Sequence, residues 1–116
     1  MDKQKYLEIM KERNRICVEC QDDWWDGIEK CCKDMMDVVK QDIPGFILFL
    51  KTECSSRDYL FITVWFDEFM ENIGSQELVD AFRETMNSKF ISENQEYNIK
   101  QDLDEAIEYY GGGRVH

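Results

Sequence analysis

The spacing of apolar residues changes at Pro44-Gly45, and this change constrains the fold more than any other feature. Before it, residues 2–20 and 22–41 place apolar side chains at helical intervals, which predicts two amphipathic helices. Pro44 cannot continue a helix, and Gly45 relaxes the turn that follows. After this point the apolar residues come in continuous runs. We therefore expect two helices followed by a different kind of structure.

The helical spacing also predicts which residues face inward. For the first helix these are Tyr6, Ile9, Met10, Arg13, Ile16, Cys17 and Cys20, and for the second Trp24, Trp25, Ile28, Cys32, Met35, Met36 and Val39. Asp22 or Asp23 is expected to cap the second helix. Because neighbouring helix positions diverge by about 100°, only one of the two Trp side chains can be buried. The other is either an interface anchor or a cover for the helix edge.

Two apolar runs after the proline predict a β-hairpin. Phe46–Cys54 begins apolar and then alternates, whereas Tyr59–Phe66 is continuously apolar and rich in aromatic and β-branched residues. Such a run is typical of a strand buried on both faces. The four residues 55–58 between the runs have the length of a hairpin loop.

The remaining residues predict two further helices. Residues 67–73 are ambiguous between a strand exit and a short helix. Ser75 is expected to cap a helix ending near Lys89, with inward residues Leu78, Val79, Phe82 and Met86. Residues 91–98 are expected to form a loop. A last helix is expected over about residues 99–110, with one apolar stripe formed by Ile99, Leu103, Ala106, Ile107 and Tyr110.

These elements predict an α+β fold with the order α-α-β-β-α-α. The helices would pack on a short antiparallel hairpin, because two strands alone make a marginal sheet. A third strand is the alternative. We expect a single domain over residues 1–110 and a flexible C-terminal tail over 111–116, since three consecutive glycines end the last helix.

The charge is strongly negative and unevenly distributed. The net charge is −11 over 116 residues, with −3 in residues 1–58 and −8 in residues 59–116. A one-sided negative field attracts basic partners and repels nucleic acid and anionic membranes. The longest apolar runs are too short to span a bilayer, and the mixed-charge N-terminus does not predict a secretory signal. We expect neither a nucleic-acid nor a membrane partner.

The cysteines predict buried, reduced thiols. Cysteines at 17, 20, 31, 32 and 54 are odd in number and include an adjacent pair, which favours a reducing, cytoplasmic location over a disulfide framework. A four-thiolate zinc site is the alternative, but adjacent helical positions diverge and the only histidine, His116, lies in the tail. Because that histidine lies in the tail, a Ser or Cys nucleophile in the folded part of the chain would lack a histidine base. We expect no enzyme activity, metal or cofactor.

The acidic stretch Glu93–Glu108 is the main candidate site. It is either a solvated helix face or a docking surface for a basic protein, and the flanking aromatic residues and uneven charge favour docking. The predicted contact residues are Glu93, Glu96, Asp102, Asp104, Glu105 and Glu108, with Tyr97 and Tyr109 as anchors.

The chain has this acidic stretch, a second acidic cluster at Asp67, Glu68 and Glu71, and no catalytic motif. In these features it resembles bacterial toxin-immunity proteins of contact-dependent growth inhibition systems. The resemblance implies a small cytosolic protein that binds and neutralises one cognate toxin domain, commonly an RNase, tRNase or DNase. Two alternatives stay open. One is a phage-type nucleic-acid mimic that blocks a DNA-binding protein, and the other is a cysteine-based metal-binding regulator.

Overall fold

A computed structural model describes residues 1–19 and 24–111, with the backbone alone at 18–19, 24–26 and 110–111. All regular structure in these ranges is helical, and no strand occurs among them. The predicted α+β fold is therefore wrong. The predictions for Cys20, the Asp22 or Asp23 cap, the Trp24 and Trp25 side chains, the Tyr110 side chain and the tail beyond residue 111 lie outside what is described.

The first compact unit, within Met1–Asp42, contains the two amphipathic helices that the sequence predicts. Helix α1 spans Lys3–Glu19 and packs along α2, which spans Trp24–Gln41. Most predicted inward residues are buried, namely Tyr6, Ile9, Met10, Arg13, Ile16, Ile28, Cys32, Met35, Met36 and Val39. Cys17 is the exception, because its side chain is exposed.

The second unit begins at Ile43 and consists of short helices. They are α3 (Ile43–Thr52), α4 (Ser56–Thr63), α5 (Phe66–Asn72), α6 (Gln76–Met86), α7 (Ile91–Tyr97) and α8 (Ile99–Ala106), followed by a π-helical turn at Ile107–Gly111. Helix α6 packs against α3, α7 and α8, and α5 packs against α8 and the π-helical turn. That residues 1–110 act as one domain stays a prediction.

The predicted hairpin is wrong because both of its strands are helices. In α4 and α5 the buried residues Tyr59, Ile62, Thr63 and Phe66 recur at the i, i+3, i+4 and i+7 spacing of one helical face. The predicted loop is a helix start, in which the Ser55 hydroxyl accepts the backbone N–H of Asp58 at 3.1 Å. Pro44 lies in the first turn of α3, where a missing N–H costs no hydrogen bond.

Two other predictions for this unit have opposite outcomes. The Ser75 cap is confirmed, because its hydroxyl accepts the N–H of Leu78 at 3.3 Å and the predicted inward residues of α6 are buried. The predicted loop over residues 91–98 is wrong, since residues 91–97 form α7. This helix has no buried residue, so the sequence lacks the apolar stripe by which helices are recognised.

Aromatic rings fill the core of the second unit. The Phe82 ring meets Phe66 at 4.9 Å and Phe69 at 5.4 Å, both edge to face. Tyr59 stacks on Phe90 at 3.9 Å, and its buried hydroxyl shares a 2.8 Å hydrogen bond with Thr85. Burial raises the pKa of Tyr59. Such ring pairs stabilise a core beyond the area they bury, and here they join α4, α5 and α6.

Replacing Ser55 with alanine tests the helical start of α4. The variant loses the side-chain acceptor for a backbone N–H, so we expect the free energy of unfolding to fall by about 1 kcal/mol. Ser92→Ala is the control, because Ser92 is an exposed residue of α7. Urea unfolding followed by circular dichroism measures both. Equal stability of the two variants would contradict the cap.

Candidate functional site

Three carboxylates from two helices line one open groove of about 520 Å³ in the second unit. Asp67 lies in the first turn of α5, while Asp102 and Glu105 lie on α8. Packing of α5 against α8 and the π-helical turn brings these segments together. Among the described residues no Lys or Arg lines this space. We call it the acidic groove and define it by Asp67, Asp102 and Glu105.

Apolar and aromatic side chains complete the lining of the acidic groove. Phe66 and Thr63 are buried, whereas Val64 is 67% exposed and Tyr109 is 80% exposed. Val64 occupies the short turn between α4 and α5, and Tyr109 belongs to the π-helical turn, a feature often found at functional sites. The groove therefore has an accessible tyrosine beside its carboxylates, and tyrosine is a frequent anchor residue in protein interfaces.

The electrostatics of the acidic groove disfavour negative charge on Asp102. Partial burial raises its pKa above the ordinary value, and the nearby carboxylates Glu105 and Asp67 raise it further. Like charges oppose ionisation because each destabilises the charged form of the others. Gln101 donates a hydrogen bond of 3.0 Å to Glu105.

Asp104 lies on the same helix but has a different environment. Its carboxylate pairs with Arg83 of α6 at 2.9 Å and with Lys100 of α8 at 3.6 Å. Two intramolecular cations therefore already neutralise it. Asp104 was predicted as a contact residue, and the structure places it in a bridge between α6 and α8 instead of in the acidic groove.

Glu93, Glu96 and Tyr97 lie on α7 and do not line the acidic groove. The Ser56 hydroxyl donates a hydrogen bond to Glu93, which lowers the pKa of that carboxyl and ties α7 to the start of α4. Glu96 and Tyr97 are exposed. Glu108 is exposed in the π-helical turn.

The structure thus divides the predicted contact residues. It brings Asp102, Glu105 and Tyr109 together and adds Asp67, Val64 and Phe66. None of these three was predicted as a contact residue, although Asp67 belongs to the acidic cluster behind the family resemblance. A helical interpretation of residues 59–66 leaves Val64 outside the stripe at positions 59, 62, 63 and 66, but it leaves Trp65 outside as well, and Trp65 is buried. Whether the predicted residues bind a partner stays a prediction.

The described thiols differ in accessibility. Cys31, Cys32 and Cys54 are buried, and Cys17 is exposed. Burial raises the pKa of Cys54 to about 12, with a further contribution from Asp58, and burial also raises the pKa of Cys31. Buried thiols with raised pKa are protonated at neutral pH and chemically inert. Cys31 and Cys54 therefore behave as small apolar side chains.

No group of three or more His, Cys, Asp or Glu side chains within residues 1–19 and 24–111 is arranged to hold a metal ion. No helix in these ranges is long and apolar enough to cross a membrane.

The chain was compared with protein families, with curated proteins and with solved structures. No family model matches it, and no significant match is found among curated proteins or among solved structures.

Replacing Asp102 with asparagine is expected to stabilise the fold at neutral pH. Its raised pKa means that the folded chain binds this proton more readily than the unfolded chain does. The free energy of unfolding therefore falls as the pH rises from the pKa of Asp102 in the unfolded chain toward its pKa in the folded chain. Asparagine removes that penalty, so we expect a higher Tm at pH 7 and no difference below about pH 2.5, where Asp102 is protonated in both states.

Asp104→Asn is the matched control for this prediction. It removes one charge from the same helix but breaks the pairs with Arg83 and Lys100, so its Tm should be unchanged or lower, by an energy of at most about 1 kcal/mol. Calorimetry at both pH values measures the two variants. A lower Tm for Asp102→Asn at pH 7 would contradict the electrostatic interpretation.

Proposed function

We propose that this protein is an acidic cytoplasmic inhibitor, of the toxin-immunity kind, that binds a basic protein through the acidic groove. The observation that carries the proposal is the meeting of Asp67, Asp102 and Glu105 in one open space with exposed Val64 and Tyr109. The function needs no catalytic group. It needs only a surface that complements the charge and shape of the partner.

The charge of the acidic groove supports a basic partner. Residues 43–116 carry 6 Lys/Arg and 14 Asp/Glu, and the cations of Lys51, Arg83 and Lys100 pair with Glu84 or Asp104 away from the groove. These three cations therefore do not neutralise the groove carboxylates, whose negative charge can attract a basic partner. A nuclease holds its phosphates with Lys and Arg, and carboxylates presented to those cations compete with the nucleic acid.

The exposed apolar residues support binding to a folded protein. Carboxylates accelerate association through long-range attraction, whereas burial of aromatic and aliphatic side chains slows dissociation. Val64 and Tyr109 lie beside the carboxylates, so one contact would use both effects.

The charge pattern of the first unit makes the nucleic-acid mimic a weaker proposal. A mimic needs a long, regular array of carboxylates. In α1 and α2, Glu12, Glu29 and Asp34 pair within their own helix with Arg15, Lys33 and Lys30. The uncompensated charge is concentrated in the second unit, which favours one local contact.

The test is inhibition of the protein encoded by the adjacent reading frame. We expect the two to co-purify as a complex at low and at moderate salt, with loss of the partner's nuclease activity. The triple variant Asp67→Asn/Asp102→Asn/Glu105→Gln should associate at least about tenfold more slowly at low salt and show a flatter salt dependence. Stopped-flow mixing measures both quantities.

The matched control is Glu71→Gln/Glu77→Gln/Asp80→Asn, which removes the same charge from exposed positions of α5 and α6. It should associate nearly as fast as the wild type. Equal slowing by both triple variants would show that net charge acts without a defined groove. A third variant, Glu93→Gln/Glu96→Gln, tests α7. If this variant alone lost binding, the interface would lie on α7 and not at the acidic groove.

A further inference from the structure

The outer side of α4 is more apolar than a surface helix needs to be. The buried face of this helix consists of Tyr59, Ile62 and Thr63. On the other side, Leu60 and Phe61 are only half-buried, and Val64, which ends the helix with a backbone still in the helical region, is 67% exposed. A surface helix normally has a polar face opposite its buried one, so the core of this chain explains these side chains only in part. We call Leu60, Phe61 and Val64 the outer face of α4.

The outer face of α4 belongs to one continuous stripe. Residues 57, 60, 61 and 64 recur at the i, i+3, i+4 and i+7 spacing of one side of a helix. The stripe is two helical turns long, about 10 Å. Arg57 begins it, with its guanidinium 5.5 Å from the centre of the Phe61 ring. Contiguous apolar surface with a polar rim is typical of a protein-binding site, and this spacing is the one by which a helix docks against another helix.

The outer face of α4 leads directly into the acidic groove, because Val64 also lines that groove beside Asp67, Asp102 and Glu105. An occupant of both surfaces therefore meets apolar side chains along α4 and three carboxylates at its end. Charge complementarity requires that this occupant carry Lys or Arg next to its apolar stripe. A second copy of the chain fits poorly, since its stripe offers one cation, Arg57, and two chains of net charge −11 repel each other.

We propose that the outer face of α4 docks an amphipathic helix of the partner, whose apolar stripe covers Leu60, Phe61 and Val64 and whose Lys or Arg side chains enter the acidic groove. This inference rests on the proposed function, because it names the segment of the basic partner that the groove receives. The two parts of the contact respond differently to salt. Attraction between cations and carboxylates is screened, whereas the removal of apolar surface from water persists at moderate salt.

The experiment titrates the full chain into two fluorescent synthetic peptides of identical composition, rich in Leu, Arg and Ala. In the first peptide the leucines form one helical stripe with arginines beside it, and in the second they are spread around the helix. Fluorescence anisotropy at low and at moderate salt measures both affinities. We expect the first peptide to bind at least about tenfold more tightly. Leu60→Gln/Val64→Thr should weaken it by about tenfold at both salt concentrations, because the apolar contact is lost.

The matched control is Leu48→Gln, because Leu48 is 62% exposed on α3 and does not line the acidic groove. It should leave the affinity for the first peptide unchanged. Circular dichroism shows whether each variant is folded. If the double variant unfolds, Val64→Thr replaces it, since the Val64 side chain is mostly exposed and its replacement should still weaken binding about threefold.

The other outcomes overturn helix docking and separate it from the proposed function. Equal affinities of the two peptides would show that charge alone recruits a basic partner, which leaves the proposed function intact. Unchanged binding by the Val64 variants, or an equal loss in Leu48→Gln, leads to the same conclusion. No binding of either peptide at about 1 mM also overturns helix docking, and co-purification with the product of the adjacent reading frame then decides the proposed function alone. A dimer in analytical ultracentrifugation that Leu60→Gln/Val64→Thr dissociates would assign the outer face of α4 to a second copy.

Discussion

The aromatic packing around Phe82 is the interaction on which the second unit depends. Phe82 of α6 contacts two rings of α5 and lies next to Tyr59 of α4. These contacts hold α4 and the start of α5, where Asp67 lies, against α6. Since α5 also packs against α8, the same core determines that Asp67 shares a cavity with Asp102 and Glu105. The acidic groove is thus a consequence of ring packing between helices of only 7 to 11 residues.

Helices this short have little stability of their own, since helix nucleation is unfavourable and isolated helices of fewer than about 12 residues are marginal. Caps at Ser55 and Ser75 satisfy two backbone donors. Between α5 and α6, Gly74 has a φ of +59°, a conformation that glycine adopts without strain. Burial of the aromatic side chains provides the rest. The fold tolerates like charges in the acidic groove because this core is large relative to the repulsion of partly solvated carboxylates.

Prediction from the sequence succeeded for some helices and failed for others, for a physical reason. In α1, α2 and α6 one face is apolar and the other polar, and that periodicity specifies a helix without knowledge of the neighbours. Residues 59–66 are apolar on nearly all sides, and such a run fits a buried strand or a buried helix equally well. The sequence reasoning chose the strand because of β-branched residues, a weak preference that tertiary context overrides. Helix α7 was missed for the opposite reason, since it buries nothing.

The sequence by itself determined the sign of the net charge, the excess of negative charge in the second half and the lack of a histidine in residues 1–115. These properties are sums over the chain and do not depend on which residues meet. Only the tertiary structure decided which carboxylates act together. Asp104 is neutralised by Arg83, Glu93 accepts from Ser56, and Asp102 shares a groove with Asp67. Electrostatic interactions depend on distance and burial, and for residues far apart in sequence both are fixed by helix packing.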